Sequence, residues 1–320
     1  MDGALETTIV ASFSRVGYLV RRRSPSWTSS RPMDGRTVLV TGASSGIGRA
    51  SAIGLAQLGA TVLLTGRDEQ RTRAVEASIV RAGGQARASL LDLSDPSAID
   101  GFASQLRDEL GRLDGLVHAA GALSRSFAEN VEGMELTVAT HVLGPFRLSW
   151  RLAPLLARAD GAVIVTVASG GMYTERFDLP SLVMNRDEYQ GVRAYARSKR
   201  AQVLLAHEWQ RRWQRDGVSS FVMHPGWTDT PGLAQSLPNF HRLGPLLRRP
   251  EEGADTVVWL ASGAANEDTV SDSGIWLDRR RRSEYYLPWT RPRTSALEDG
   301  VQLWAWCEQR TGLGPTDQPR

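Results

Sequence analysis

A glycine-rich loop, Thr41-Gly42-Ala43-Ser44-Ser45-Gly46-Ile47-Gly48, joins a short apolar run at 37–40 to a helical pattern that begins at once. Gly42 allows a tight turn, Gly46 lets backbone amides approach a pyrophosphate, and Gly48 permits close packing of the helix. The helix N-terminus also favours the negative charge of a phosphate. Glycines alone indicate little, but the strand–loop–helix order predicts a dinucleotide-binding site. The loop residues expected to contact the dinucleotide are Gly42, Ser44, Ser45, Gly46, Ile47 and Gly48.

The chain from Arg36 onward alternates apolar runs with helical patterns, as a parallel sheet with crossover helices requires. The predicted strands are 37–40, 61–65, 86–90, 113–118, 162–167 and 219–224. The predicted helices are 46–58, 68–82, 96–110, 133–158 and 192–215. This order predicts an α/β doubly wound parallel sheet of the Rossmann type. We expect a single domain at 36–278, with an N-terminal extension at 1–35 and a C-terminal extension at 279–320 that packs back on the sheet or helices.

The second predicted strand is followed by Arg67, at the position where this fold distinguishes NAD from NADP. An acid there would bind the ribose 2′-hydroxyl, whereas an arginine would bind a 2′-phosphate. Arg67 therefore predicts NADP(H), with Ser44 and Arg49 as helpers. The alternative is that Asp68 binds the ribose and Arg67 is a surface charge. The residues expected to flank the adenine are Asp92 and Leu93.

The chain has a single lysine, Lys199, among its 38 basic residues, and it stands four residues after Tyr195. An ammonium is a compact charge with three donors, which the planar guanidinium of arginine does not replace. Positions i and i+4 of a helix share a face, so the two side chains should be neighbours. A nearby cation predicts a lowered Tyr195 pKa and a general acid/base near neutral pH. The alternative is an ordinary helix surface, since Tyr189 and Arg193 have the same spacing.

The glycine loop, Ser169, Tyr195 and Lys199 together resemble a classical short-chain dehydrogenase/reductase (SDR), and the similarity extends over residues 35–277. Three stretches most resemble the dehydrogenase/reductase SDR family member 12-like group: Ala168-Ser169-Gly170-Gly171-Met172, Tyr195-Ala196-Arg197-Ser198-Lys199-Arg200 and His224-Pro225-Gly226-Trp227-Thr228-Asp229-Thr230-Pro231-Gly232.

The resemblance implies an NADP-dependent oxidoreductase that transfers hydride between nicotinamide C4 and a carbonyl or secondary alcohol carbon. It implies that Tyr195 moves the oxygen-bound proton and that Ser169 orients that oxygen. Lys199 would bind the nicotinamide ribose and lower the Tyr195 pKa. The other residues that the resemblance places along the cofactor are Ala120, Gly121, Pro225, Gly226, Trp227 and Thr230.

Two positions depart from the family's pattern. The usual Asn-Ala-Gly after the fourth strand has Ala119 in place of asparagine, which should cost local hydrogen bonding. The asparagine that usually completes the catalytic tetrad and supports a water-linked proton relay is His141. Histidine can hold a water through either ring nitrogen, so His141 is either a substitute relay or a satisfied buried residue. The departures leave a second interpretation, a non-catalytic NADP(H)-binding regulatory protein, against which the intact Ser-Tyr-Lys set argues.

Composition excludes several classes of protein. The chain has 320 residues, a net charge of +3 and scattered arginines without a matching motif, so we expect no nucleic-acid partner. Its one cysteine, Cys307, cannot form an intrachain disulfide, and its five histidines show no metal-ligand spacing, so we expect no metal. No stretch approaches the roughly 20 apolar residues of a membrane-spanning helix.

The first 35 residues are basic and rich in serine, with an amphipathic segment at 9–19. This composition resembles a transit peptide, but transit peptides are poor in acidic residues and this segment has Asp2 and Glu6 near its start. The other interpretation is that the segment packs on the fold or contacts a membrane surface. We therefore expect a cytoplasmic protein, with peripheral membrane contact or organelle targeting as alternatives.

Ser169 and Tyr195 are 26 positions apart, about twice the separation usual in compact members of the family. The apolar residues of this insert and of the stretch after Gly226 are Met172, Tyr173, Phe177, Leu179, Leu182, Val183, Met184, Trp227, Leu233, Leu237, Phe240, Leu246 and Leu247. Such residues are typical of a lid that excludes water, which predicts a bulky apolar carbonyl or alcohol as substrate. The alternative is that they pack on the core or on another subunit of a homo-oligomer.

Overall fold

The structure is a computed structural model that describes residues 12–121, 123–236, 244–265 and 273–314. Its sheet has eight strands in the order β3-β2-β1-β4-β5-β6-β7-β8. They are β1 Thr37–Thr41, β2 Thr61–Gly66, β3 Gln85–Leu90, β4 Gly115–His118, β5 Ala162–Val167, β6 Val218–Met223, β7 Ile275–Leu277 and β8 Arg280–Arg282. All neighbouring strands pair in parallel except β7 and β8. The predicted doubly wound parallel sheet is confirmed.

Helices cover both faces of the sheet. They are α1 Arg15–Arg21, α2 Gly46–Gln57, α3 Glu69–Arg81, α4 Pro96–Glu109, α5 Gly144–Ala157, α6 Gly191–Trp213, α7 Pro231–Ser236, α8 Pro250–Ala261 and α9 Ala296–Thr311. One face carries α2, α3 and α8, and the other carries α4, α5, α6 and α9. Strand β5 is buried along its whole length, since both faces of a central parallel strand are covered. No helix among the described residues is both long and apolar enough to cross a bilayer.

The region predicted as one helix over 133–158 is interrupted. It contains a short α-helical turn, Leu136–Val138, then a π-helical segment, Ala139–Leu143, and only then α5. Pro145 contributes to this break because it has no N–H to donate to the carbonyl of His141, four residues earlier. The His141 carbonyl therefore lacks its usual helical donor.

Both chain extensions contact the fold. Phe13, Tyr18 and Arg21 are buried at the start of the described chain. At the other end, Trp304 of α9 packs between rings from α5 and α6, with its centroid 4.9 Å from that of Phe146. The C-terminal extension thus packs back on the helices, as expected, while the boundaries 1–35, 36–278 and 279–320 stay predictions.

Candidate functional site

The site lies where the chain order of the sheet reverses, between β1 and β4. Ligands of open α/β sheets bind at such a switch point, beyond the carboxyl ends of the strands. Gly42 lies there with φ of +67°, and a Cβ on it would stand 2.5 Å from the Ala120 Cα. A Cβ on Gly48 would stand 2.3 Å from the Gly42 carbonyl oxygen. Both positions therefore require glycine.

The rest of the predicted phosphate site surrounds this loop. Ser45 precedes α2 directly, and Gly46 has φ of +54°. A Cβ on Gly46 would stand 3.2 Å from Thr230 Cγ2, so Thr230 lies across the loop. Ser44 and Ile47 are half-buried at the same turn. The structure brings these predicted cofactor residues together.

The loop after β4, where Ala119 replaces the usual asparagine, is hydrogen-bonded to Thr41. The backbone amides of Ala119 and Ala120 both donate to the Thr41 hydroxyl oxygen, at 3.2 and 3.3 Å. Thr41 in turn donates to the Val117 carbonyl at 3.2 Å. Local hydrogen bonding is thus supplied by a threonine that precedes the glycine loop.

Ser169, Tyr195 and Lys199 meet at the carboxyl end of β5. Ser169 begins a 3₁₀ turn, where its hydroxyl accepts a hydrogen bond from the Gly171 amide at 3.2 Å. The same hydroxyl hydrogen-bonds the Tyr195 phenol. One turn further along α6, the Lys199 Nζ lies 5.6 Å from the centre of the Tyr195 ring. The i, i+4 neighbours predicted on one helix face are therefore confirmed as neighbours.

The pKa values at this cluster differ from the expectation. Burial raises the pKa of the Tyr195 phenol, and the hydrogen bond from Ser169 lowers it in part. The expected lowering of the Tyr195 pKa is not found, because the effect of burial outweighs that of the hydrogen bond with Ser169. Burial also lowers the pKa of the Lys199 ammonium to about 7. The lysine, rather than the tyrosine, is the group brought near neutrality.

His141 lies in the wall of the same site. Its Nδ1 is 2.8 Å from the Ser198 hydroxyl, and a Cβ on Gly121 would stand 3.2 Å from its Nε2 and 3.4 Å from the Lys199 Nζ. Burial, then the charges of Lys199 and Arg67, hold the His141 pKa well below its usual value. The imidazole is therefore neutral, and it borders the space beside Gly121.

One residue of the cluster was missed in the sequence. Gln202 is buried one turn beyond Lys199, accepts a hydrogen bond from the Lys199 Nζ and donates one to the His141 carbonyl, both at 2.8 Å. Its place three residues after Lys199 was a readable signal, because positions i and i+3 share a helix face.

A family model of short chain dehydrogenases matches residues 36–239. The chain belongs to the short-chain dehydrogenase family. This short-chain dehydrogenase is 36% identical to dehydrogenase/reductase SDR family member 12 of Bos taurus, over 83% of each chain. It is 34% identical to polyprenol dehydrogenase of Mus musculus, over 89% of this chain and 87% of the relative. Among solved structures, it is similar to the Pseudomonas aeruginosa RhlG/NADP active-site complex, with a TM-score of 0.61 and 26% identity over 74% of this chain and 94% of that one.

At the end of β2, where the sequence predicts the adenosine ribose, Asp68 and Arg67 make different contacts. The Asp68 carboxylate caps α3 by accepting from the Arg71 amide at 2.9 Å, and it pairs with the Arg71 guanidinium at 3.0 Å. Arg67 and Arg49 are exposed. Leu93 is buried, and Asp92 accepts from the Ser94 amide and hydroxyl.

The loop Pro225–Trp227 of this dehydrogenase is supported from behind by the N-terminal segment. The Phe13 carbonyl accepts hydrogen bonds from the Trp227 amide at 2.8 Å and from the Arg248 Nε at 3.0 Å. Gly226 has φ of +71°, and a Cβ on it would stand 2.6 Å from the Phe13 oxygen. The sequence allowed the N-terminal segment to pack on the fold but did not indicate that it would contact this loop.

Most of the predicted lid packs inward. The insert residues buried in the hydrophobic core are Met172, Tyr173, Phe177 and Leu182, and those packed against it are Leu179 and Val183. Met184 is also buried. Leu247 is buried, whereas Leu246 is exposed. The remaining predicted positions, the Leu233 side chain, Leu237 and Phe240, lie outside the described residues. For the insert, the alternative of packing on the core therefore describes the structure.

Proposed function

We propose that this protein is an NADP(H)-dependent oxidoreductase that interconverts a carbonyl and a secondary alcohol. The observation that carries the proposal is the meeting of Ser169, Tyr195 and Lys199 beside a glycine loop at the switch point of the sheet. The assembled set argues against a non-catalytic NADP(H)-binding regulatory protein, because a site freed from catalysis need not keep matched acid/base groups.

The residues present fit a dinucleotide. Gly42, Gly46 and Gly48 leave backbone amides free of side chains at the N-terminus of α2, which suits a pyrophosphate. Gly121 leaves space beside the Lys199 ammonium, where a ribose hydroxyl would be bound. Further along, the residues that we propose to line the nicotinamide are Ala120, Pro225, Gly226, Trp227 and Thr230, and those for the adenine are Asp92 and Leu93.

NADP(H), rather than NAD(H), is proposed because Arg67 is available for a 2′-phosphate while Asp68 is engaged as the cap of α3. Ser44 and Arg49 would assist Arg67. The similarity to an NADP complex of known structure supports the same choice.

When bound, NADPH supplies a hydride to the carbonyl carbon. The Tyr195 phenol, kept protonated by burial, would give its proton to the carbonyl oxygen, so that an alcohol forms. Ser169 would orient that oxygen through its hydroxyl. Lys199 would hold the ribose and stabilise the Tyr195 phenolate left after proton transfer, since a cation favours the charged phenol. His141 would line the site as a neutral residue.

The substrate is proposed to be bulky and apolar, of lipid, steroid or aromatic type. The similarity to a polyprenol dehydrogenase supports an apolar alcohol. We also propose a cytoplasmic location with peripheral membrane contact, supported by Val16 and Leu19, which are exposed on α1. Assembly into a homo-oligomer stays a prediction.

The test is to measure NADPH and NADH binding to the purified protein, followed by nicotinamide absorbance with long-chain and short-chain carbonyls. Tyr195→Phe should lower kcat by at least about 100-fold, the usual contribution of a general acid, and keep NADPH binding. Tyr189→Phe, which removes a phenol bonded to Thr137, should retain turnover. NADPH binding without turnover by the wild-type protein would favour the regulatory function. Equal rates on long-chain and short-chain carbonyls would contradict the proposal of a bulky substrate.

A further inference from the structure

Lys199 is held by two oxygen atoms of the protein. Its Nζ donates to the Val167 carbonyl and to the Gln202 Oε1, each at 2.8 Å. An ammonium has three N–H donors, so these bonds leave one for another acceptor. Since Gly121 leaves space beside the Nζ, this third donor is suited to a ribose hydroxyl.

The orientation of the Gln202 amide is unambiguous. An ammonium only donates and a carbonyl only accepts, so the Gln202 oxygen must face Lys199 and its nitrogen must face the His141 carbonyl. Gln202 is 1% exposed, and both of its amide atoms are bonded. The His141 carbonyl oxygen has two lone pairs, and Pro145 has no amide hydrogen to compete for them.

We propose that Gln202 is a positioning residue for the oxidoreductase, because its amide links the Lys199 ammonium to the His141 carbonyl. The proposal rests on the function proposed above. An amide does not shuttle protons as water does, so Gln202 fixes the direction and the charged state of Lys199 rather than passing a proton.

The groups around Lys199 do not replace this acceptor. Three titratable side chains lie around Lys199. Its charge lowers the pKa values of His118 and His141, and its ammonium faces the Tyr195 ring. Burial lowers the pKa of His118 to about 3 and that of His141 well below its usual value, so both are neutral. Loss of the Gln202 oxygen should therefore lower the Lys199 pKa further, because a bond to the charged form is lost.

The single lysine makes this measurable without a substrate. Protein grown with ¹³C-lysine gives one lysine Cε resonance, whose pH titration reports Lys199 alone. We expect Gln202→Met, which keeps the length of the side chain, to move this titration at least about one pH unit lower, since bonds to charged groups are strong ones. With a turned-over carbonyl, kcat should fall at least about tenfold and the KM for the carbonyl should stay unchanged.

Gln202→Ala separates bridging from packing. Alanine leaves a polar space in which a water can join the same two groups, so Gln202→Ala should keep a higher kcat and a higher lysine pKa than Gln202→Met. A role in packing alone predicts the opposite order, because alanine leaves the larger cavity.

Gln210→Met is the matched control, since Gln210 is a buried glutamine on the same helix that bonds Ser220 and Gln214 instead. It should leave the lysine titration unchanged. The proposal would be overturned if Gln202→Met left the Lys199 titration unaltered. It would also be overturned if the kcat of Gln202→Met were above that of Gln202→Ala. If the wild-type protein turns over no carbonyl, the proposed function fails, while the titration still tests the bridge.

Discussion

Arg67 and Asp68 are neighbours in sequence with opposite charges, and their contacts separate two cofactor predictions. A carboxylate that caps a helix and pairs with an arginine has fewer lone pairs left to accept bonds from a ribose hydroxyl. Asp68 already makes both contacts with Arg71. Among the residues that the structure describes, no acid forms an ion pair with the Arg67 guanidinium, and the Arg67 charge helps to lower the pKa of His141.

Arg67→Ala should therefore weaken NADPH binding by about 10- to 100-fold, the size of one or two charge-assisted hydrogen bonds to a phosphate. NADH binding should remain the same, because NADH has no 2′-phosphate. Fluorescence titration of both nucleotides would measure this. Arg73→Ala is the control, since Arg73 is exposed and pairs along its own helix with Glu69. An equal loss for both nucleotides would refute the assignment of Arg67.

The sequence predicts the contents of the site better than its charge states. The pair Tyr195 and Lys199 could be identified from i, i+4 spacing, because that spacing fixes which side chains are neighbours. The direction of the Tyr195 pKa could not, since it depends on burial. Gln202 was missed for a related reason: its partner, the His141 carbonyl, lies 61 residues earlier in the chain, in a π-helical segment that the sequence did not predict.

At the scale of elements, the strand β5 was predicted at its observed bounds, because a fully buried parallel strand is a continuous apolar run. The three-residue strands β7 and β8 were not predicted, since so short a run has no periodicity to read. The turn between them places Asp278 and Arg279 at φ of +52° and +56°, in the left-handed region that aspartate tolerates better than most residues.

Asp278 also joins three distant elements. Its carboxylate bonds Arg21 of α1 at 2.7 Å and Arg248 at 2.6 Å, and all three side chains are buried. Because Arg248 also bonds the Phe13 carbonyl, this cluster fixes the N-terminal segment behind the Pro225–Trp227 loop. The buried ion cluster thus links an extension of the chain to the loop that we propose to line the nicotinamide.

Asp278→Asn should lower the free energy of unfolding by about 3 to 5 kcal/mol, since it leaves buried arginines without their counter-charge. Asparagine tolerates the left-handed turn, so the loss would report the charge and not backbone strain. Urea unfolding followed by tryptophan fluorescence would measure it. Glu69→Gln, in an exposed pair with Arg73, should leave the unfolding midpoint unchanged. Equal midpoints for wild type and Asp278→Asn would show that the cluster contributes no net stability.

At the scale of the whole molecule, the C-terminal helix α9 covers part of the face of the sheet that carries α6, the helix of Tyr195 and Lys199. Leu303, Trp304 and Cys307 of α9 are buried in the same hydrophobic core as α5 and α6. The Arg212 guanidinium also stacks on the Trp304 ring, 4.3 Å from its centre. The sequence could only suggest that the tryptophans of this extension pack back, because their partners lie about 90 to 160 residues earlier.

Trp304→Ala should therefore lower the free energy of unfolding by about 3 to 5 kcal/mol, because it removes a large buried ring and leaves a cavity among Phe146, Trp150 and Trp213. Trp289→Ala is the matched control in the same extension: Trp289 is 60% exposed, whereas Trp304 is 2% exposed. Its loss should change stability little, as surface substitutions usually do. Denaturant unfolding of both variants compares the two on one scale. Similar small losses of unfolding free energy for both variants would mean that α9 lies on the fold without stabilising it. If Trp304→Ala still turns over with NADPH at low temperature, α9 supports α6 through stability and does not take part in the chemistry.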